Sequence, residues 1–128
     1  MRMQQMDKVI YSELSYKVCG LCFKIHNDLG QFRSEKSYAD ALEEVLKTAG
    51  ISYQREQSLG ASFAGENERR NIPDFMVEDK IVVDLKAKRV ITKEDYYQMK
   101  RYLVASGKKL GLIINFRQKY LAPKRILN

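Results

Sequence analysis

The sequence predicts an α/β fold in which helices flank a mixed β-sheet. Two stretches with apolar residues every three or four positions come first and predict amphipathic helices. A pair of short apolar runs joined by three polar residues predicts an antiparallel hairpin. A capped helix then leads into a continuously apolar run, which predicts a parallel strand reached by a right-handed crossover. The predicted order is ααβββαβ, with one further strand at the C-terminus.

The first predicted helix runs from about Asp7 to Leu29, and Gly30 follows in the position where a left-handed backbone ends a helix. The second runs from about Ser34 to Thr48, with Gly50 as its stop. Glu35 stands in the first turn of this second helix, where a carboxylate complements the helix dipole. A carboxylate at a helix start can also reach over a neighbouring sheet.

Three strands are predicted next, as an antiparallel meander. Residue types alternate from Ile51 to Leu59 well enough to predict a strand, and the stretch from Gly60 to Asn67 predicts a loop. The central hairpin has the apolar runs Ile72 to Val77 and Ile81 to Ala87, with Glu78 to Lys80 between them.

The C-terminal part predicts a helix and two strands. Thr92 is a predicted N-cap with Asp95 at the third helical position, and this helix runs to about Ala105. Leu110 to Phe116 predicts a buried strand parallel to the second hairpin strand, and Lys124 to Leu127 predicts an edge strand. The predicted core-facing residues of the helix are Tyr96, Met99 and Leu103.

Acidic residues on the central hairpin suggest a site. Residues two apart on a strand share a face, so Asp84 and Lys86 point the same way. A three-residue turn would pair Val77 with Ile81 and place Asp74 opposite Asp84, with Cβ atoms roughly 5 Å apart. Like charges so close predict a cation between them, and hard oxygen ligands suit Mg²⁺ or Mn²⁺. A two-residue turn would put the aspartates on opposite faces, as ordinary solvated charges.

Length and composition indicate one domain, residues 1–128, with 45% hydrophobic residues to form its core. We expect a soluble, intracellular, cytoplasmic protein, because no apolar run could span a membrane and the N-terminus lacks a signal-peptide core. Cys19 and Cys22, with His26 as the sole histidine, are too few for structural zinc. We expect two free thiols, with a redox pair as the alternative, and we interpret His26 as a helix-end or interface residue.

Charge is distributed unevenly along the chain. Residues 1–79 carry 10 basic and 13 acidic side chains, whereas residues 80–128 carry 13 basic and 3 acidic. This asymmetry predicts a polyanionic partner for the C-terminal half. Nucleic acid is favoured over an anionic membrane, since no basic amphipathic anchor helix is evident.

The chain resembles the PD-(D/E)XK nuclease superfamily and, more narrowly, the small GxxExxY proteins. The matched pieces are IHNDLG at Ile25 to Gly30, ExxY with Glu35 and Tyr38, the PDF…DLK hairpin, and YLVASGKKLGLIINF. Two departures are visible. Phe32 stands where the glycine opens GxxExxY, and Asp84 stands where the small family generally has glutamate.

The resemblance implies a restriction-endonuclease-like core and metal-dependent hydrolysis of phosphodiester bonds, in DNA more than RNA. It implies metal ligation by Asp74, Asp84 and the main-chain carbonyl of Leu85, with Lys86 as the motif lysine. Glu35 would ligate the metal directly or through water. Gln98 and Tyr102 match a Q-xxx-Y element of RecB-type nucleases that approaches the active site, and Tyr38 belongs to the ExxY motif.

On this interpretation Mg²⁺ or Mn²⁺ lowers the pKa of a bound water and neutralises charge on the phosphoryl oxygens. Lys86 would orient the water or stabilise that charge, and its pKa should fall beside a cation. Contacts to the nucleic-acid backbone would come from Lys88, Arg89, Lys93, Lys100, Arg101, Lys124 and Arg125.

Two other functions remain open on the sequence. One is a catalytically inactive nucleic-acid-binding module with the same fold, and the other is a structural or partner-binding subunit. Because so small a chain has no separate target-recognition domain, we predict structure-selective or nonspecific cutting, or a homodimer that supplies two active sites. The exposed faces of the first helix are the predicted dimer contact.

Overall fold

The computed structural model describes residues 10–128. These residues form three α-helices, one short 3₁₀ helix and a five-stranded sheet. The helices are α1 (Ser12–Leu29), α2 (Glu35–Thr48) and α3 (Lys93–Ser106), and the 3₁₀ helix is Glu68–Arg70. The strands are β1 (Tyr53–Arg55), β2 (Phe75–Val77), β3 (Ile81–Lys86), β4 (Leu110–Asn115) and β5 (Lys124–Leu127).

The sheet has the strand order β1-β2-β3-β4-β5. Strands β3 and β4 are parallel and joined through α3, while the other neighbouring pairs are antiparallel. The predicted α/β class and the mixed sheet are therefore confirmed, including the edge strand at the C-terminus. The hairpin has the three-residue turn, since Val77 pairs with Ile81.

Helices cover both faces of the sheet. On one face α1 and α2 pack against alternate strand residues, including Phe75, Val83 and Leu85. On the other face α3 packs against Met76 and Val82. A Cβ atom at Gly111 of β4 would lie 2.3 Å from Sδ of Met99 on α3, so this helix rests directly on the strand. Side chains at the end of β3 consequently lie in a largely buried setting.

Side-chain caps fix the starts of two helices. The hydroxyl of Ser34 accepts a hydrogen bond from the main-chain N–H of Ser37 and thereby caps α2. Thr92 and Asp95 form the predicted capping box at the start of α3. Both caps matter for the site, because Glu35 is the first residue of α2 and Asp95 lies in the first turn of α3.

The connection before the hairpin differs from the prediction. Strand β1 covers only residues 53–55 and β2 begins at Phe75, while a 3₁₀ helix occupies residues 68–70. The buried carboxylate of Glu66 accepts hydrogen bonds from the main chain and hydroxyl of Ser62 and from the amide of Asn71. These bonds fold the segment onto itself, so it cannot extend as a strand.

Two helix predictions are corrected. The N-terminal limit of the first helix, at Asp7, lies outside the described residues, and within them α1 begins at Ser12. Tyr96 is 40% exposed and does not face the core, whereas Asp95 and Tyr102 are buried. The capping box draws Asp95 inward, which sets the buried face of α3. Across residues 10–128, none of the helices combines the length and apolarity that a membrane crossing requires.

Candidate active site

Asp74 and Asp84 lie together where β2 begins and β3 nears its end. The main-chain N–H of Asp74 donates to Oδ1 of Asp84 at 3.2 Å. The N–H of Leu85 donates to Oδ2 of Asp74 at 2.6 Å. Asp84 is only 6% exposed. The register of the hairpin therefore holds two carboxylates side by side in a buried setting.

This setting changes the titration of Asp74. Burial, followed by the negative charge of Asp84, raises the pKa of Asp74 from 3.8 to about 7, although the Leu85 N–H bond opposes the rise. The charge of Glu35 also raises this pKa. The Asp74 carboxyl therefore keeps its proton to a much higher pH than a free aspartate does.

Lys86 is the cation of the site. Its Nζ lies 2.9 Å from Oδ2 of Asp84 and donates to Oε1 of Gln98 at 2.8 Å. Burial alone would lower the pKa of Lys86, but the charge and hydrogen bond of Asp84, with the charges of Asp95 and Glu35, outweigh it and raise the pKa. Lys86 is therefore charged at neutral pH. The lowered pKa was expected for a lysine beside a bound cation, and it stays a prediction for that state.

Asp95 joins the site, and sequence reasoning missed it beyond its capping role. Its Oδ1 lies 3.7 Å from Nζ of Lys86, and its Oδ2 accepts from Nζ of Lys88 and the N–H of Thr92, each at 2.8 Å. The sequence does contain an indication of this contact. Lys86 and Lys88 lie at and just after the end of β3, and the first turn of α3 is acidic, so the crossover from β3 to α3 brings the lysines and the acids together.

Glu35 stands at the edge of the site. It lines a cavity of about 430 Å³ that Asp74 and Arg55 also line. Within residues 10–128, no three carboxylate, imidazole or thiol side chains are grouped closely enough to hold a metal ion. The predicted set of three acids is thus only partly assembled: Asp74 and Asp84 are in contact, whereas Glu35 is exposed at the start of α2. Hydrogen bonds to main-chain N–H groups hold the two aspartates, whereas Glu35 acts on Asp74 through its charge.

The structure also locates the residues expected to support the site. Gln98 faces it from α3 and accepts the Lys86 hydrogen bond. The hydroxyl of Tyr102 lies 3.4 Å from the carbonyl of Ile72, just before the hairpin. Tyr38 is fully buried and donates to the carbonyl of Gly30, so it fixes the connection between α1 and α2 from which Glu35 emerges.

Some of the predicted basic residues gather beside Lys86. A cavity of about 370 Å³ is lined by Lys86, Gln98 and Arg101, together with Arg70 and acidic residues of α3. Nε of Arg101 is buried and has no hydrogen-bond partner among the residues that the structure describes. Lys88 and Arg89 follow β3 directly, and Lys93 is exposed at the start of α3.

Other predicted basic residues lie elsewhere. Nζ of Lys100 donates to the carbonyl of Leu127. Leu127 pairs with Leu110 at the start of β4, whereas Lys86 pairs with Asn115 at the other end of that strand. Arg125 donates to the hydroxyl of Ser15 and to the carbonyl of Ile10, so it faces α1. Lys124 is on the edge strand β5. The structure does not bring Lys100 or Arg125 to the aspartates.

The histidine and the cysteines have structural surroundings. Nε2 of His26 lies 2.8 Å from the carbonyl of Gln118, which joins α1 to the loop after β4. Cys19 and Cys22 are free thiols, as expected. Burial is the main cause that raises the pKa of both, so neither is an activated nucleophile.

Comparison with known proteins identifies the class. Residues 12–126 match the model of the PD-(D/E)XK nuclease superfamily. Because this match covers most of the chain, the protein belongs to that superfamily, and its three helices and mixed five-stranded sheet agree with a restriction-endonuclease-like fold. Neither the search of curated proteins nor that of solved structures gave a match.

The superfamily assignment confirms the broader resemblance seen in the sequence, and it does not test the narrower GxxExxY family. Members of the superfamily are generally nucleases and typically use divalent metal ions. A nuclease with a nucleic-acid substrate is therefore the function class that this membership supports.

Proposed function

We propose that the protein is a metal-dependent nuclease that hydrolyses phosphodiester bonds, with DNA favoured over RNA as substrate. The observation that carries the proposal is the contact between Asp74 and Asp84, with Lys86 bound to Asp84 at 2.9 Å. A buried carboxylate pair with a lysine beside it is costly for stability alone, since like charges repel and burial penalises both.

The donor set fits a hard divalent cation. Asp74, Asp84 and the main-chain carbonyl of Leu85 would hold Mg²⁺ or Mn²⁺, because carboxylate and carbonyl oxygens are the ligands these ions prefer, and Glu35 at the edge of the site would ligate the ion through a water molecule. The positive charge of the ion would relieve the repulsion that raises the pKa of Asp74. When bound, such an ion supplies Lewis-acid stabilisation of the phosphoryl charge and eases deprotonation of water.

The chain's own residues supply binding and orientation. Lys86 is charged and held by Gln98, so it can contact a phosphoryl oxygen from a fixed position. Lys88, Arg89, Lys93 and Arg101 lie at the same end of the sheet or beside the adjoining cavity and would bind neighbouring phosphates. Such contacts position the strand without reading its sequence, so structure-selective or nonspecific cleavage is expected.

Cleavage of plasmid and oligonucleotide substrates tests the proposal. Wild-type protein should cut with Mg²⁺ or Mn²⁺ and stop in EDTA, and Asp84→Asn and Lys86→Ala should each lower the rate by roughly 100-fold or more. Lys100→Ala is the matched control, because this lysine binds the far end of the sheet. Cleavage that survives both site substitutions would refute the proposed site. Parallel DNA and RNA substrates decide the preferred nucleic acid.

A binding module without catalysis is the second candidate. The position of Glu35 at the edge of the site favours a binding module, because among residues 10–128 no third acid lies close enough to Asp74 and Asp84 to complete a set of metal ligands. Tight binding of DNA by the purified protein, with no cleavage under any divalent ion, would establish this alternative over the nuclease.

We further propose that the chain acts as a single nuclease-like domain and forms a homodimer through α1. Tyr16 and Phe23 on this helix are 82% and 44% exposed, which gives an apolar surface for a second copy. Light scattering at micromolar concentration should give twice the chain mass for wild type and the single mass for Tyr16→Glu. A wild-type monomer would contradict the dimer and leave the nuclease proposal intact.

A further inference from the structure

An exposed aromatic ring with a cation above it lies in the loop between α1 and α2. Phe32 is 79% exposed, although it is a large apolar side chain. The guanidinium carbon of Arg117 lies 5.8 Å from the centre of its ring. A ring so exposed with a cation near one face has its other face open to solvent, which makes it available to a planar ligand.

Reciprocal hydrogen bonds hold this pair in place. Nε of Arg117 donates to the carbonyl of Gln31 at 2.8 Å, and the side-chain amide of Gln31 donates to the carbonyl of Arg117 at 2.9 Å. The N–H of Arg117 also donates to Oδ1 of Asn115 at 3.3 Å. The guanidinium is therefore fixed before any ligand arrives, which reduces the entropic cost of binding.

The pair lies at the same end of the sheet as the two aspartates. Asn115 pairs with Lys86 in the parallel ladder, and its side chain also binds the main chain of Lys88. Phe32 precedes Glu35 by three residues. A strand bound at the aspartates thus extends past Phe32 if it leaves toward the start of α2.

The surrounding surface is basic and aromatic. Residues 30–34 and 116–123 contain no acidic side chain. Arg33 and Lys119 add two exposed positive charges, and Nζ of Lys119 lies 5.5 Å from the ring centre of Tyr120, which is 77% exposed. Aromatic rings interleaved with cations are the features that bind single-stranded nucleic acid, through base stacking and phosphate contact.

We propose that Phe32 and Arg117 form a stacking site for an unpaired base, so that the preferred substrate carries a single-stranded segment beside the cleaved bond. The inference rests on the proposed nuclease function and names its substrate class. A base inside a duplex has both faces covered by its neighbours, so apart from the terminal pair a duplex offers no face to this ring, whereas an unpaired base does. Phe32 stands where the GxxExxY pattern that the chain resembles has glycine.

Binding without cleavage isolates the stacking site. Fluorescence anisotropy in EDTA would compare wild type with Phe32→Ala, Phe32→Leu and Phe32→Tyr on a single-stranded oligonucleotide. Loss of a base–aromatic stack weakens binding by roughly 5- to 150-fold. We expect this loss for alanine and leucine, because leucine keeps apolar surface but no ring, and we expect tyrosine to retain wild-type affinity. Melting temperatures confirm that each variant is folded.

Two further probes give the matched controls. A relaxed, covalently closed circular duplex should bind wild type and Phe32→Ala within about twofold of each other, since it offers neither an unpaired base nor an open end. An oligonucleotide containing a tract of abasic sites should bind wild type and Phe32→Ala with equal affinity. That affinity should be as low as the affinity of Phe32→Ala for the intact strand. DNA and RNA strands of the same sequence show which sugar the surface accepts. Equal single-strand affinity of wild type and Phe32→Ala would overturn the proposal.

This result is independent of the cleavage assay. Normal cleavage with unchanged affinity of Phe32→Ala would leave the nuclease and remove the stacking site. Weakened single-strand binding by Phe32→Ala in a protein that never cleaves would support the stacking site and leave a binding module in place of the nuclease.

Discussion

Asp74 and Asp84 bind each other's strand: the N–H of Asp74 donates to the carboxylate of Asp84, and the carboxylate of Asp74 accepts from Leu85, the residue after Asp84. The two acids are thus fixed by main-chain groups and do not depend on a bound ion for their proximity. Burial, together with their mutual repulsion, raises the pKa of Asp74 to about 7.

Divalent-ion affinity should depend on pH. An ion must displace the proton that Asp74 holds, so we expect the affinity for Mn²⁺ to fall by about tenfold per pH unit below pH 7 and to level off above it. Isothermal titration calorimetry between pH 5.5 and 8.5 measures this dependence, along with proton release in buffers of different ionisation enthalpy. An affinity that stays constant from pH 6 to 8 would contradict the raised pKa.

Stability without divalent ions should fall as pH rises. The folded-state pKa of Asp74, about 7, exceeds its ordinary value of 3.8, so the folded protein binds more protons than the unfolded chain between these values. Stability from this group is therefore greatest below pH 4 and is lost as pH rises through 7. Melting curves in EDTA at pH 5 and pH 8 should differ less for Asp74→Asn than for wild type. A variant with the wild-type difference would show that other groups cause it.

The Glu66 cluster should give the opposite dependence. Hydrogen bonds from the hydroxyl and main chain of Ser62, with that of Asn71 and the charge of Arg70, lower the pKa of Glu66 from 4.5 to about 2. The stability it contributes is present above pH 4.5 and is lost as pH falls toward 2. Glu66→Gln should be less stable than wild type by urea denaturation at pH 7, and this difference should shrink below pH 4. Glu44→Gln, an exposed carboxylate of α2, serves as the control.

Gln98 should act by holding Lys86. Its Oε1 accepts the lysine hydrogen bond at 2.8 Å, so Gln98→Ala leaves Nζ bound to acids alone. We expect kcat to fall by about 10- to 100-fold with little change in the folded state, by analogy with residues that orient metal ligands. Single-turnover cleavage measures the loss, and Gln54→Ala on strand β1 is the control. A wild-type kcat for Gln98→Ala would show that Lys86 needs no such support.

Gly111 should tolerate no larger side chain without cost. A Cβ atom there would lie 2.3 Å from Sδ and 2.8 Å from Cγ of Met99, so the methionine must adopt a new rotamer or α3 must shift. Overpacking of this kind costs about 1–3 kcal/mol, and Gly111→Ala should lose that much free energy of unfolding. In the double variant with Met99→Ala, the total loss should be smaller than the sum of the two single losses, because the clashing sulfur is removed. Additive losses in the double variant would contradict the contact.

Local rules predicted much of the fold and the proximity of Asp74 and Asp84. Ser34 and Thr92 are capping residues with the expected partners nearby in sequence, so the starts of α2 and α3 could be read directly. The hairpin turn was harder to predict, because Glu78 and Asp79 adopt left-handed backbone angles, which in a sequence are usually indicated by glycine. The sequence therefore left two registers open, and the structure has the one that brings Asp74 to Asp84.

Long-range relationships could not be predicted in this way. The contact of Asp95 with Lys86 depends on how far α3 rotates over the sheet, and the buried face of that helix was misjudged at Tyr96. The pairing of Phe32 with Arg117 joins loops far apart in the chain, and nothing local to either residue specifies it. Hydrogen bonds from Ser62 and Asn71 to Glu66 keep this segment from extending as a strand. The alternation of polar and apolar residues does not indicate those bonds.

The bond from the Gln31 side chain to the carbonyl of Arg117 spans 86 positions of the chain. The turn that leads to Glu35 is thus held by a partner far along the chain. The position of this acid therefore depends on the folding of the residues around Arg117, whereas the two aspartates are placed by the hairpin alone.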